Sequence, residues 1–109
     1  MATAHENHSK LARLALSQNK IAKIWANNTG KARSFTGDRV ISYGLTGSSD
    51  NIGIARNGKF IAVEIKTGKD VLRPEQIAFR KLILKNNGYH FVIKSEKDIE
   101  DMINELANI

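Results

Sequence analysis

Apolar positions along this chain change their period several times, and the changes mark out its elements. Leu11, Leu14 and Ala15 recur at helical spacing behind Ser9, which is placed to cap, so the sequence predicts an opening helix. Lys20 to Trp25 reads as a strand that ends at Asn27-Asn28-Thr29-Gly30, where turn residues take over. A polar, glycine-containing loop follows to Asp38, and Arg39 to Tyr43 predicts a short strand. Asn57-Gly58, the strongest short-range hairpin signal, lies between Ile52-Gly53-Ile54-Ala55 and Phe60-Ile61-Ala62-Val63-Glu64-Ile65. Pro74 fits the first turn of a helix that carries Ile77, Phe79, Leu82 and Ile83 inward and ends at Gly88. Tyr89 to Lys94 alternates as a strand. Ser95 with Asp98 resembles a capping box for a last helix, whose Ile99, Met102, Ile103 and Leu106 form one apolar stripe. The expected fold is a mixed α/β (α+β) domain of order roughly αβββαβα, with a central hairpin and a sheet flanked by helices.

Composition narrows the class. The 109 residues are the size of one domain, expected to span 1–109, and 41% hydrophobic with 26% charged residues is ordinary for a globular protein. Apolar runs such as Phe60 to Val63 are too short to cross a bilayer, and Met1 to Lys10 has no apolar signal core. The absence of cysteine excludes disulfides, thiolate metal sites and cysteine nucleophiles, so the chain reads as cytoplasmic. Charge is uneven: residues 1–49 and 50–94 each carry +5, while residues 95–109 carry −4. A basic body with an acidic C-terminal helix suits a polyanionic partner, because neutralised phosphates release their counterions.

One constellation points to chemistry. Glu64 and Lys66 share a face of the second hairpin strand, about 6.6 Å apart along it, while Ile65 points the other way. Asp50 and Glu64 lie seven and six residues from the turn, so the hairpin returns them to one end of the sheet. Two carboxylates are hard ligands for Mg²⁺ or Mn²⁺, and the Ile65 backbone carbonyl is a candidate third oxygen. A metal there would activate water and neutralise charge in phosphodiester hydrolysis, with Lys66 orienting the water or stabilising the transition state. A Glu/Lys pair on a solvated strand would show the same spacing. The apolar strand around it and the tight Gly47-Ser48-Ser49-Asp50 segment favour a site.

These segments resemble a known family. Gly47-Ser48-Ser49-Asp50-Asn51-Ile52-Gly53-Ile54, the Asn-Gly hairpin, Ala62-Val63-Glu64-Ile65-Lys66-Thr67 and Pro74-Glu75-Gln76 look, in that order, like the VRR-NUC domain. That domain is a branch of the PD-(D/E)xK nuclease superfamily, and the likeness runs from about Trp25 to Asp98. It implies a restriction-endonuclease-like fold, Asp50 and Glu64 as metal ligands, Lys66 as the catalytic lysine and Gln76 as an active-site glutamine. An acid on the family's first helix also approaches the metal, and Glu6 is the candidate because no other acid precedes Asp38. Arg73 stands where the family usually has a small capping residue.

The remaining candidates are less specific. His5 and His8 could share a helix face, but without a third ligand they read as solvated terminal histidines. Trp25 could stack on a base, although a lone tryptophan is more often core. Ser48, Ser49, Lys69 and Arg73, with Lys31 and Arg33 from the basic loop, are candidate nucleic-acid contacts; Arg80, Lys81 and Lys85 could extend a phosphate track. The expected function is a Mg²⁺- or Mn²⁺-dependent endodeoxyribonuclease. By resemblance to phage enzymes of this size, it would be a homodimer that resolves four-way (Holliday) junctions in a phage or bacterial host cell. The alternative is a DNA-binding or nicking accessory protein.

Overall fold

The Asn57-Gly58 turn organises the sheet. Gly58 takes φ +86° in open space, a conformation in which a side chain is strained, and Asn57 Oδ1 accepts the Lys59 N–H at 3.1 Å. In the computed structural model, which describes residues 3–109 apart from the side chains of residues 31, 32 and 43, this turn joins β4 (Asn51–Ala55) to β5 (Phe60–Ile65). Their antiparallel register pairs Asn51 with Val63 and Ile54 with Phe60. Strand β1 (Ala22–Ala26) adds antiparallel on the outside of β4. Helix α2 (Pro74–Lys85) then crosses over to β6 (Tyr89–Ile93), which lies parallel to β5. The sheet order is β1-β4-β5-β6, and the fold is mixed α/β as expected.

The pleat divides the core. Ile24, Ala55, Ile61, Val63, Ile65 and Ile93 are buried with Ala12 and Leu16 of α1 (Ala4–Gln18) and Ile99, Met102 and Leu106 of α3 (Glu96–Ala107). The stripe expected on α3 is therefore the buried one. Ser95 caps that helix by accepting the Asp98 N–H, but Asp98 Oδ2 accepts from Lys94 N, so the reciprocal half of the box is not formed. The opposite sheet face carries α2, where Phe79 meets His90 edge-on with ring centroids 6.4 Å apart. No helix among the described residues is long and apolar enough to cross a membrane.

Several expectations need correction. Helix α1 starts at Ala4: Thr3 accepts the Glu6 N–H and the Glu6 side chain accepts the Thr3 N–H, a complete capping box ahead of the apolar spacing. Ser9 is therefore buried inside the helix instead of capping it. The expected loop from Lys31 to Asp38 begins within β2 (Gly30–Arg33), which pairs antiparallel with β3 (Val40–Tyr43) in a separate two-stranded sheet. Five strands thus precede α2: the expected Arg39-to-Tyr43 strand is β3, whereas β2, with the sequence Gly-Lys-Ala-Arg, has no apolar run to announce it. On α2 only Phe79 and Gln76 are buried; Ile77 and Leu82, expected inward, are 40% and 50% exposed.

Two glycines fix close approaches. A Cβ on Gly53 would collide with the Lys23 carbonyl, so β1 can lie against β4 only with glycine there. Gly47, at φ +86°, rests on the backbone of Glu75, which brings the Gly47-to-Asp50 loop against the first turn of α2.

Candidate active site

Four elements converge at the end of β5 that follows Val63. The hairpin register continues past Asn51–Val63, so Asp50 arrives opposite the end of β5, and its Oδ2 accepts the Ile65 N–H at 2.8 Å. Ile65 itself is 1% exposed, with its side chain in the core, and it meets the site through this N–H. Asp50 is further held through its backbone carbonyl, which accepts the Asn27 N–H at 2.8 Å. Glu64 and Lys66 leave the strand on the face opposite the core, and both are buried.

Gln76 joins them from α2. Its Oε1 accepts from Lys66 Nζ at 2.9 Å and from Arg73 N at 2.9 Å, and its Nε2 donates to Glu64 Oε1 at 3.3 Å. One amide thus caps a helix and bridges the expected carboxylate and lysine. Gln76 sits at the third helical position, where a glutamine naturally reaches back to the N-cap N–H, and Pro74 at the first position pre-sets that turn.

The second oxygen of Glu64, Oε2, is buried without a hydrogen-bond partner. Burial above all raises the Glu64 pKa to about 8; the Asp50 carboxyl beside it adds to the rise, while Lys66 and the Ser49 hydroxyl oppose it. Without a cation, burial and the neighbouring Asp50 thus favour the protonated form of Glu64.

Residues to which the sequence gives no role in the site complete it. His5 Nε2 lies 3.2 Å from Asp50 Oδ2, a contact between α1 and the site. The helix begins early enough to carry His5 across the sheet edge, so it is not a free terminal histidine. His90 Nε2 is 3.3 Å from Ser49 Oγ, and burial, with help from the Arg80 charge, lowers its pKa to about 4. Asn51, fully buried, donates to Ser9 Oγ at 2.7 Å and accepts from Arg13 Nη1 at 2.8 Å, tying α1 to the strand that follows Asp50. The Asn51 and His5 contacts depend on sequence separations of 42 and 45, which no local pattern announces.

Other expected site residues fall elsewhere. The Glu6 carboxylate turns back to Thr3, and among the described residues no three His, Cys, Asp or Glu side chains gather closely enough to hold a metal. Ser49 is 1% exposed, so its side chain is inside and not on a DNA-facing surface. The Ser48 hydroxyl is already used, donating to the Leu45 carbonyl and accepting from Asn27. Lys69, Arg73 and Arg33 are exposed; Arg73 pairs with Glu75 at 3.3 Å, and Arg33 donates to the Gly37 carbonyl at 3.2 Å. The side chain of Lys31 lies outside the described residues. Compared with models of known protein families and with curated proteins, the chain matches none.

Proposed function

We propose that this protein is a metal-dependent endonuclease that hydrolyses DNA phosphodiester bonds. The observation that carries this reading is the buried Glu64 oxygen without a partner, on a side chain beside Asp50 and next to a lysine that Gln76 positions. Buried polar atoms are normally paired, and an unpaired carboxylate oxygen beside a second carboxylate suits a hard divalent cation. Two protein carboxylates are enough for Mg²⁺ or Mn²⁺, which keep several waters and take the rest of their ligands from phosphate.

In this reading Asp50 and Glu64 would hold the cation, which would supply a water of lowered pKa and neutralise charge on the phosphate. Ile65 N–H and His5 Nε2 both contact Oδ2 of Asp50, which fixes the orientation in which that carboxylate would meet a metal. Lys66 directs its ammonium at the developing negative charge, and Gln76 keeps that ammonium beside Glu64. The likeness of the Gly47-to-Ile54, Ala62-to-Thr67 and Pro74-to-Gln76 segments to VRR-NUC nucleases supports the same roles. Action as a homodimer on four-way junctions belongs to this proposal and rests on that likeness. A two-fold dimer would present paired sites to the paired strands of a junction.

The test is cleavage of labelled four-way junction, flap, duplex and single-stranded DNA with Mg²⁺, Mn²⁺ or EDTA, beside Asp50→Ala and Lys66→Ala. Paired junction cuts that vanish with EDTA and fall at least about a hundredfold in either variant are expected. Equal cutting of every substrate would remove the junction preference. Binding without cutting under every condition would overturn the enzyme and leave a DNA-binding module.

A further inference from the structure

Trp25, the only tryptophan, is 48% exposed on the free edge of the sheet, although a lone tryptophan is expected in the core. It borders a groove of about 510 Å³ between α1 and β1, lined also by Lys10, Arg13, Leu14 and Lys23. Three cations and no acid line this groove around an exposed aromatic ring. That combination answers one ligand chemistry, since bases stack on the ring while the cations meet the phosphates between them.

The groove also lies beside the candidate active site. Trp25 pairs with Ile52, two residues from Asp50, a distance of about 7 Å along the strand. Arg13 reaches both places: it lines the groove, and its Nη1 bonds Asn51, the residue next to Asp50. We infer that this groove binds a stretch of unpaired DNA, with Trp25 stacking on a base and Lys10, Arg13 and Lys23 contacting phosphates. A duplex keeps its bases stacked on one another and offers none to Trp25. The choice of DNA rests on the nuclease reading above, and the site would favour flaps and junctions locally opened at the crossover, whose strands are unpaired beside the cut, over fully paired DNA.

Because there is one tryptophan, its emission reports on this groove alone. The experiment titrates the protein in EDTA with single-stranded oligothymidine and with a duplex of equal length, following emission and the anisotropy of labelled DNA. Saturable quenching by the single strand is expected, with affinity falling about tenfold in Trp25→Ala and staying near the parent value in Trp25→Phe. Lys10→Ala and Lys23→Ala should each reduce the salt dependence by about one phosphate contact. The inference is overturned by unchanged affinity in Trp25→Ala and the lysine variants, or by equal quenching with duplex. It is also overturned by emission that shifts with protein concentration before DNA is added, which would place a second copy over the ring. Cleavage measured separately with Mg²⁺ divides the two readings. Cutting without quenching removes only the groove, and quenching without cutting removes only the nuclease.

Discussion

The side-chain amide of Gln76 stands between Glu64 and Lys66, donating to Glu64 Oε1 at 3.3 Å and accepting from Lys66 Nζ at 2.9 Å. A glutamine suits this position because its two ends are a donor and an acceptor, and it serves a carboxyl and an ammonium at once. All three side chains are buried, so each depends on the others for its hydrogen bonds.

Removing that bridge should separate positioning from folding. Gln76→Ala leaves Glu64 and Lys66 with unmade bonds, a cost of about 1–3 kcal/mol. We expect cleavage to fall about 10- to 100-fold, as for groups that orient a metal site, while the far-ultraviolet circular dichroism stays native. Unchanged cleavage in a folded Gln76→Ala protein would show that Lys66 needs no such support.

Two titrations should shape stability against pH in the presence of EDTA. Glu64 titrates at about 8 against an ordinary 4.5, so the folded protein holds its proton longer than the unfolded chain. Its contribution is complete below 4.5 and is lost as pH rises towards 8. His90 is shifted the other way, from 6.5 to about 4, so its contribution is complete above 6.5 and is lost as pH falls through 4. Thermal unfolding should therefore show a melting temperature that declines between pH 6.5 and 8 in the parent but not in Glu64→Gln. Mg²⁺ or Mn²⁺ should reverse the decline, because binding to an ionised Glu64 displaces its proton. A decline that survives in Glu64→Gln would assign it to another group.

The glycines offer a test of the fold itself. Gly58→Ala meets open space and only the strain of φ +86°, so about 1–2 kcal/mol should be lost in urea unfolding. Gly53→Ala drives a methyl into the Lys23 carbonyl across the β1–β4 pair and should cost about 3 kcal/mol or more. A reversed order of the two would contradict the strand pairing.

What could be seen in the sequence was what short stretches encode. The Asn57-Gly58 hairpin, the α3 stripe and the gathering of Asp50, Glu64 and Lys66 each follow from spacings of about fifteen residues or fewer. Of the β2–β3 hairpin only β3 was legible, because the β2 sequence Gly-Lys-Ala-Arg carries no run of apolar or β-branched residues. Trp25 was expected inside because size and hydrophobicity predict burial. An edge strand, however, has no neighbour to cover its outer residues. His5 was set aside because no third ligand lies near it in sequence. Its partner Asp50 is 45 residues away.

That difference in chain separation also orders events in time. The bonds from Asp50 to Ile65, Gln76 to Glu64 and Lys66 to Gln76 close loops of 15, 12 and 10 residues, whereas His5 reaches Asp50 across 45. Closing a longer loop costs more entropy, so the carboxylates, lysine and glutamine are expected to come together before the first helix joins them. The same hierarchy operates in the native state. With one long-range hydrogen bond holding its His5 side chain, the first turn of α1 should open more readily than the hairpin, and its amides should exchange with solvent before those of β5.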